Sequence, residues 1–406
     1  MTETNQAKRR QQHITIVSET FPPEINGVAN TLRHLCQGLM QRGHRVTVIR
    51  PRQRHENKGT VAGAGLALFS HEHVVAGLPL PGYADLRFGL TRSGHLRSLW
   101  QKDRPDAVYV ATQGPLGVAA VSAARCLGLA VSSGFHTNFH SYSRYYGVGV
   151  LEHLLCAYGR WFHNRTAITL VPTRKMEQTT ATMGIKPTGL WSRGVDCGRF
   201  SPYKRDDALR SQWGLKAKDR AVLYVGRLAP EKNLRMAVAC YERIRGLHPQ
   251  TRFILVGDGP LRRHLAERHP DYIFCGTRRG EDLARHYASG DLFLFPSKTD
   301  TFGNVVLEAM ASGLAVVAYD DGAASEHLRH EENGMKAALP RDEDFVDGAL
   351  RLADQPTLLN RIRAQARLDA LEMNWNSQIE QFEQLVLNQP SRVRYHGINK
   401  QSMSLL

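Results

Sequence analysis

The sequence predicts an α/β protein made of two βα domains in tandem, each a parallel sheet covered by helices. Two observations carry this. Short β-branched runs alternate with longer amphipathic stretches, and the alternation starts afresh halfway along the chain. The length of 406 residues is more than one compact core accommodates and suits two domains of ordinary size.

In the first half, strands are expected at 13–18, 45–50, 107–111, 130–134 and 167–171. The second half repeats the scheme at 221–225, 252–256, 272–275, 292–295 and 315–318. Helices are expected between them, as at 28–41 before Gly43 and 304–311 before Gly313, both glycines suiting the left-handed position that ends a helix. The stretch 193–203, with Gly194, Gly198 and Pro202, has the composition of a connection. The expected organisation is therefore a disordered N-terminus (1–12), a first domain (13–192), the connection (193–203), a second domain (204–373), a last helix (374–388) and a loose tail (389–406). Helices at 345–353, 357–371 and 375–387 close the second half. Ligands should bind at the carboxyl ends of the strands.

The net charge of +15 gives a surface that attracts polyanions, whether nucleotide phosphates, anionic lipid headgroups or nucleic acid. Basic residues are spread out, as in Lys8-Arg9-Arg10 and Arg262-Arg263, without zinc-finger spacing or a recurring aromatic-basic pattern. Nucleic acid is accordingly not expected as a partner. The six cysteines lie far apart with no C-x-x-C pair, which reads as buried, reduced thiols in a cytoplasmic protein. No apolar run approaches the roughly eighteen residues of a membrane span.

Four elements carry chemistry, each at the end of an expected strand. The first is Ser297-Lys-Thr-Asp-Thr-Phe-Gly-Asn-Val-Val-Leu-Glu-Ala-Met-Ala-Ser-Gly313. Asp300 precedes a helix that opens near Gly303, and Glu308 lies one turn inside it, so both carboxylates can face one ligand beside helix-start amides that favour phosphate or sugar oxygens. Asp300 as a cap and Glu308 as surface charge is the plainer alternative. The second is Gly226-Arg-Leu-Ala-Pro-Glu-Lys-Asn233, in which Arg227 and Lys232 put two cations where a diphosphate would lie, or form an ordinary basic loop. The third is the βα turn Glu19-Thr-Phe-Pro-Pro-Glu-Ile-Asn-Gly27, where Asn26 and Gly27 tolerate positive φ and Gly27 admits an anion to backbone amides. Gly257-Asp258-Gly259-Pro260 is similar but could be a tight turn only. The fourth is Gly134-Phe-His-Thr-Asn-Phe-His140, whose His136 or Asn138 could bond a sugar hydroxyl or stabilise charge at a reacting carbon, or be structural.

These elements, in this order across roughly residues 13 to 385, resemble glycosyltransferase family 4 and its glycolipid-forming and mannosyltransferase branch. The resemblance implies the GT-B fold: two Rossmann-like domains facing a cleft, the acceptor side on the first, the last helix crossing back to the first domain. It implies a hexosyltransferase that retains anomeric configuration through front-face attack, with a nucleotide-diphosphate sugar (UDP-hexose or GDP-mannose) as co-substrate and no cofactor. The donor residues it implies are Gly27, Arg227, Lys232, Gly257, Phe302, Gly303, Asn304 and Glu308. His136 and Asp300 would lie at the reacting carbon. Two positions depart from the common pattern: Asp300 stands where Glu is more frequent, and Asn26-Gly27 where Gly-Gly is. No Asp-x-Asp motif follows an appropriate strand, so metal independence is expected, with cations and helix amides neutralising the leaving diphosphate.

The run from Tyr142 to Phe162 mixes aromatics, Arg144, Arg160 and apolar residues. It suits either a core helix or a surface resting on anionic lipid at the inner face of the cytoplasmic membrane. With Asn138, Arg144 and Tyr145 as candidate acceptor residues, the expected acceptor is a membrane lipid such as diacylglycerol. A soluble or polyprenyl-linked glycan, or a non-catalytic nucleotide-sugar binder, are the alternatives.

Overall fold

The computed structural model describes residues 10–24, 26–53, 68–80, 83–136, 149–298 and 300–387. The first sheet holds β1 (His13–Val17), β2 (Arg45–Pro51), β3 (His71–Leu80), β4 (Tyr83–Leu90), β5 (Ala107–Val110), β6 (Ala130–Gly134), β7 (Thr169–Val171) and β8 (Thr188–Leu190). Its order is β4-β3-β2-β1-β5-β6-β7-β8, parallel throughout except the antiparallel β3/β4 pair at one edge. The second sheet is wholly parallel and holds β9 (Ala221–Val225), β10 (Arg252–Val256), β11 (Ile273–Gly276), β12 (Leu292–Phe295), β13 (Ala315–Tyr319) and β14 (Met335–Ala337). Its order is β11-β10-β9-β12-β13-β14.

Every expected strand is present: 167–171 contracts to Thr169–Val171, 272–275 moves to Ile273–Gly276, and the other ends agree to within one residue. Four strands were not expected. β3 reads His-Glu-His-Val-Val-Ala-Gly-Leu-Pro-Leu, whose Gly and Pro speak against a strand, and β8 and β14 are only three residues long. β4 is visible only as the antiparallel partner of β3.

Helix Gly27–Gln41 shows how the layers form. Asn26 caps it by accepting from the amide of Ala29, and Leu32, Leu35, Cys36 and Leu39 turn one apolar face onto the sheet. Each such buried side chain contributes about 1.5–3 kcal/mol. Not all cysteines follow the expectation: Cys36 and Cys240 are buried, but Cys126 is exposed, because it ends the solvent-facing side of helix Pro115–Cys126.

The domains are joined twice. The connection bridges to the returning chain at Val195 and Asn374, and a Cβ on Gly194 would lie 2.7 Å from the backbone of Trp375. Helix Trp375–Val386 then packs Ile379, Phe382 and Val386 into the core of the first domain. There the buried Glu383 accepts from Arg42 Nε at 2.6 Å and meets His44 Nε2 at 3.0 Å. Ion pairs also cross between the domains at Arg174–Glu326 (3.4 Å) and Lys175–Asp321 (2.9 Å). Among the described residues, no helix is long and apolar enough to cross a membrane.

Candidate active site

Strand ends of the second sheet build one wall of the cleft. The loops after β9 and β10 lie backbone against backbone: Gly226 donates to the Val256 carbonyl at 3.0 Å, and Gly257 to that of Gly276 at 2.9 Å. Gly257 has φ +140°, and a Cβ there would stand 1.9 Å from the Gly226 carbonyl oxygen, so only glycine fits. Beyond it, Pro230–Lys232 makes one 3₁₀ turn, and Asn233, in the left-handed region at φ 54°, donates from Nδ2 to the Pro296 carbonyl at 3.2 Å. That bond ties the basic loop to the end of β12.

The tie brings Lys232 onto Asp300, with Nζ 2.5 Å from Oδ1 and both side chains about one-fifth exposed, at 18% and 21%. The two cations therefore differ. Arg227 is 59% exposed and its nearest recorded acid is Glu231 at 3.7 Å, whereas Lys232 already holds a carboxylate at the cleft floor. The other oxygen of Asp300, Oδ2, is buried and has no hydrogen-bond partner among the described residues; nor has Ser297 Oγ on the same loop. Two buried, unpaired oxygens on one loop mark a place where a hydroxyl-bearing ligand would satisfy them.

Gly303 takes φ +85° as the residue before helix Asn304–Ala311, with its Cα side closed off by the ring of Phe295. The side chain of Phe302 is 6% exposed and packs edge-on to His327 at 5.9 Å. One turn into the helix, Glu308 accepts from Tyr287 Oη at 2.9 Å. Burial pushes its carboxyl up to about 7, opposed by that bond and by the charge of Arg199.

The first domain supplies the facing wall. Gly27 does not use a positive φ; Asn26 is extended, at φ −151°, and Gly27 simply opens the helix. A Cβ there would lie 3.6 Å from Asn304 Nδ2 of the second domain, an ordinary contact distance, so Gly27 marks where the two domains approach each other. His136 is buried after β6, its Nε2 2.6 Å from Tyr109 Oη and its Nδ1 2.5 Å from Arg193 Nη2. Both ring nitrogens are thus held by protein groups rather than open to a sugar hydroxyl. Burial first, then the charges of Arg193 and His163, hold the imidazole well below its usual range, so it is neutral. Asn138, Arg144 and Tyr145 lie outside the described residues.

Sequence reasoning passed over Tyr287, Tyr109, Gly134 and Arg193. A Cβ on Gly134 would meet Tyr109 Oη at 2.3 Å and His136 Nε2 at 2.4 Å. Only the position of Gly134 at a strand end hinted at this. Arg193 was read as part of the connection between the domains, and nothing local marks it as 4% exposed.

The family described as Glycosyltransferase Family 4 matches residues 25–199, and that described as Glycosyl transferases group 1 matches residues 219–355. The chain is 33% identical over 328 residues to the GDP-mannose-dependent alpha-mannosyltransferase of Mycobacterium tuberculosis, covering 79% of this chain and 82% of that one. It is 24% identical over 378 residues to the alpha-monoglucosyldiacylglycerol synthase of Acholeplasma laidlawii, covering 87% and 92%. In fold it is similar to sucrose-phosphate synthase from Thermosynechococcus elongatus, with a TM-score of 0.75 at 18% identity, covering 92% and 98%.

Proposed function

The chain belongs to glycosyltransferase family 4, with the GT-B fold and the activity of a hexosyltransferase that uses nucleotide sugars, and we propose that it moves mannose from GDP-mannose, with retention, to a membrane lipid. The observation that carries this reading is the floor around Lys232 and Asp300. A fixed ammonium for the diphosphate sits beside a carboxylate whose free oxygen is buried and unpaired, as a sugar hydroxyl would require.

In this reading Lys232, Arg227 and the amides of the helix opening at Asn304 offset the charge of the departing diphosphate, and no metal ion is needed. Asp300 Oδ2 accepts from a hydroxyl of the transferred sugar, and Glu308 from the ribose. The departing phosphate takes the acceptor's proton on the same face as the attack, which retains configuration. Similarity to GDP-mannose-dependent enzymes at 32–34% identity favours mannose over a UDP-hexose.

A lipid acceptor is supported by helix Gly149–His163, which leaves Leu154 64% and Trp161 47% exposed, with the Arg165 guanidinium over the Trp161 ring at 5.1 Å. An aromatic and apolar face edged by cations on a chain of net charge +15 suits an anionic membrane surface, which supports a location at the inner face of the cytoplasmic membrane. A matrix of GDP-mannose and UDP-hexoses against diacylglycerol-containing lipid extracts, read by mass shift, tests donor and acceptor together. Mannosylated lipid is expected; transfer only to soluble glycans would refute the lipid assignment.

A further inference from the structure

Arg193 has no explanation in the donor site described above. It lies on the connection between the domains, is 4% exposed, and has no carboxylate among its recorded partners in the described residues. Its Nη1 donates to the carbonyls of Trp191 at 3.3 Å and Ser192 at 3.4 Å. Its Nη2 points to Nδ1 of His136 at 2.5 Å, and the guanidinium stacks over Trp191 at 4.9 Å and faces the Phe302 ring at 5.9 Å. A buried cation unmatched by an acid is costly, so its retention calls for a reason beyond packing.

The bond fixes the chemistry of His136. A guanidinium only donates, so Nδ1 must accept. A neutral imidazole that accepts at Nδ1 carries its proton on Nε2, which then donates to Tyr109 Oη at 2.6 Å. The groups facing the ring are Arg193, Tyr109, Trp191 and, through its field, His163; none is an acid. The ring is therefore held in one tautomer, and the same guanidinium lies over the ring of Phe302, two residues from Asp300 on the donor loop.

We propose that Arg193 is a positioning residue of the transfer site, locking His136 as the Nε2–H tautomer and bracing the donor loop through Phe302. The kinetic half of this rests on the transferase reading; the tautomer half does not. It makes the connection part of the active site, since Arg193 precedes the Val195–Asn374 bridge that joins the domains.

The test uses full-length protein labelled with ¹⁵N-histidine, the His136 signals being assigned by loss in His136→Gln, alongside turnover of GDP-mannose. Wild type should show an acceptor-type Nδ1 and a protonated Nε2, unchanged from mildly acidic to mildly basic pH. Arg193→Met should release the tautomer and lower kcat about 100-fold, with donor KM within about threefold. Arg193→Lys, which keeps a donor and covers the case in which the Met variant does not fold, should retain the tautomer and much of kcat. An unchanged tautomer in Arg193→Met, or a changed one with undiminished kcat, overturns the proposal. Absence of turnover in wild type with every nucleotide sugar would instead sink the transferase reading, while the spectra still decide whether Arg193 sets the tautomer.

Discussion

Lys232 and Asp300, 68 residues apart in sequence, meet at 2.5 Å on the floor of the cleft. They come from loops after β9 and β12, which are neighbours in the sheet, and the Asn233–Pro296 bond fixes one loop on the other. The ammonium is thus placed before any ligand arrives, at no reorganisation cost when charge develops on the leaving phosphate. Lys232→Met keeps most of the stem and removes the charge. It is expected to lower kcat by roughly 100-fold or more, measured as nucleoside diphosphate release.

Glu308 gives the donor site a pH dependence. Its carboxyl, raised to about 7 by burial, must ionise to accept well from ribose hydroxyls. Donor affinity should therefore rise as pH increases through 7, and Glu308→Gln should flatten that rise in calorimetric titrations. Tyr287→Phe, removing the donor at 2.9 Å that favours the ionised form, should move the rise to higher pH.

Glu308 should act on stability in the opposite sense. An acid whose folded pKa exceeds the unfolded one keeps its proton longer in the native state, so its contribution is full below the unfolded value near 4.5 and is lost as pH rises through about 7. The thermal midpoint of Glu308→Gln should fall less than that of wild type across this interval.

Gly134 makes room for the His136–Tyr109 pair. Gly134→Ala would press a methyl to within 2.3 Å of Tyr109 Oη, so the pair must separate. Expected are a stability loss of about 1–3 kcal/mol by denaturant titration and a kcat at least about tenfold lower.

Phe382 ties the last helix to the first domain. It is fully buried, with Tyr109 edge-on at 5.1 Å and Trp191 at 5.1 Å. Phe382→Ala should cost about 3–5 kcal/mol. Because Tyr109 and Trp191 also surround His136, kcat should fall even where the protein remains folded.

The parts legible in the sequence were those with local signatures. Strands such as Ala221–Val225 are continuous apolar runs, and the donor elements sit where such runs end in Gly, Pro or Asn. β3 was missed because its pairing with β2 outweighs its unfavourable Gly77 and Pro79, a tertiary effect that periodicity does not register. In the same way, Asp300 and Glu308 could be placed beside one ligand, but not the Lys232 ion pair or the Tyr287 bond, since the first depends on which strands become neighbours and the second on which helices pack together. Arg193 was the least legible, because its distant partners come from the end of β6 and the donor loop at once.

In the proposed donor site of a retaining transferase, Lys232 and Asp300 lie under Gly27 of the first domain. The most direct measurement is the NMR anomeric configuration of the product made from GDP-mannose by wild type and by Lys232→Met. An α-mannoside is expected from wild type, matching the donor's configuration, and little product from the variant. A β-mannoside, or equal product from both proteins, would contradict it.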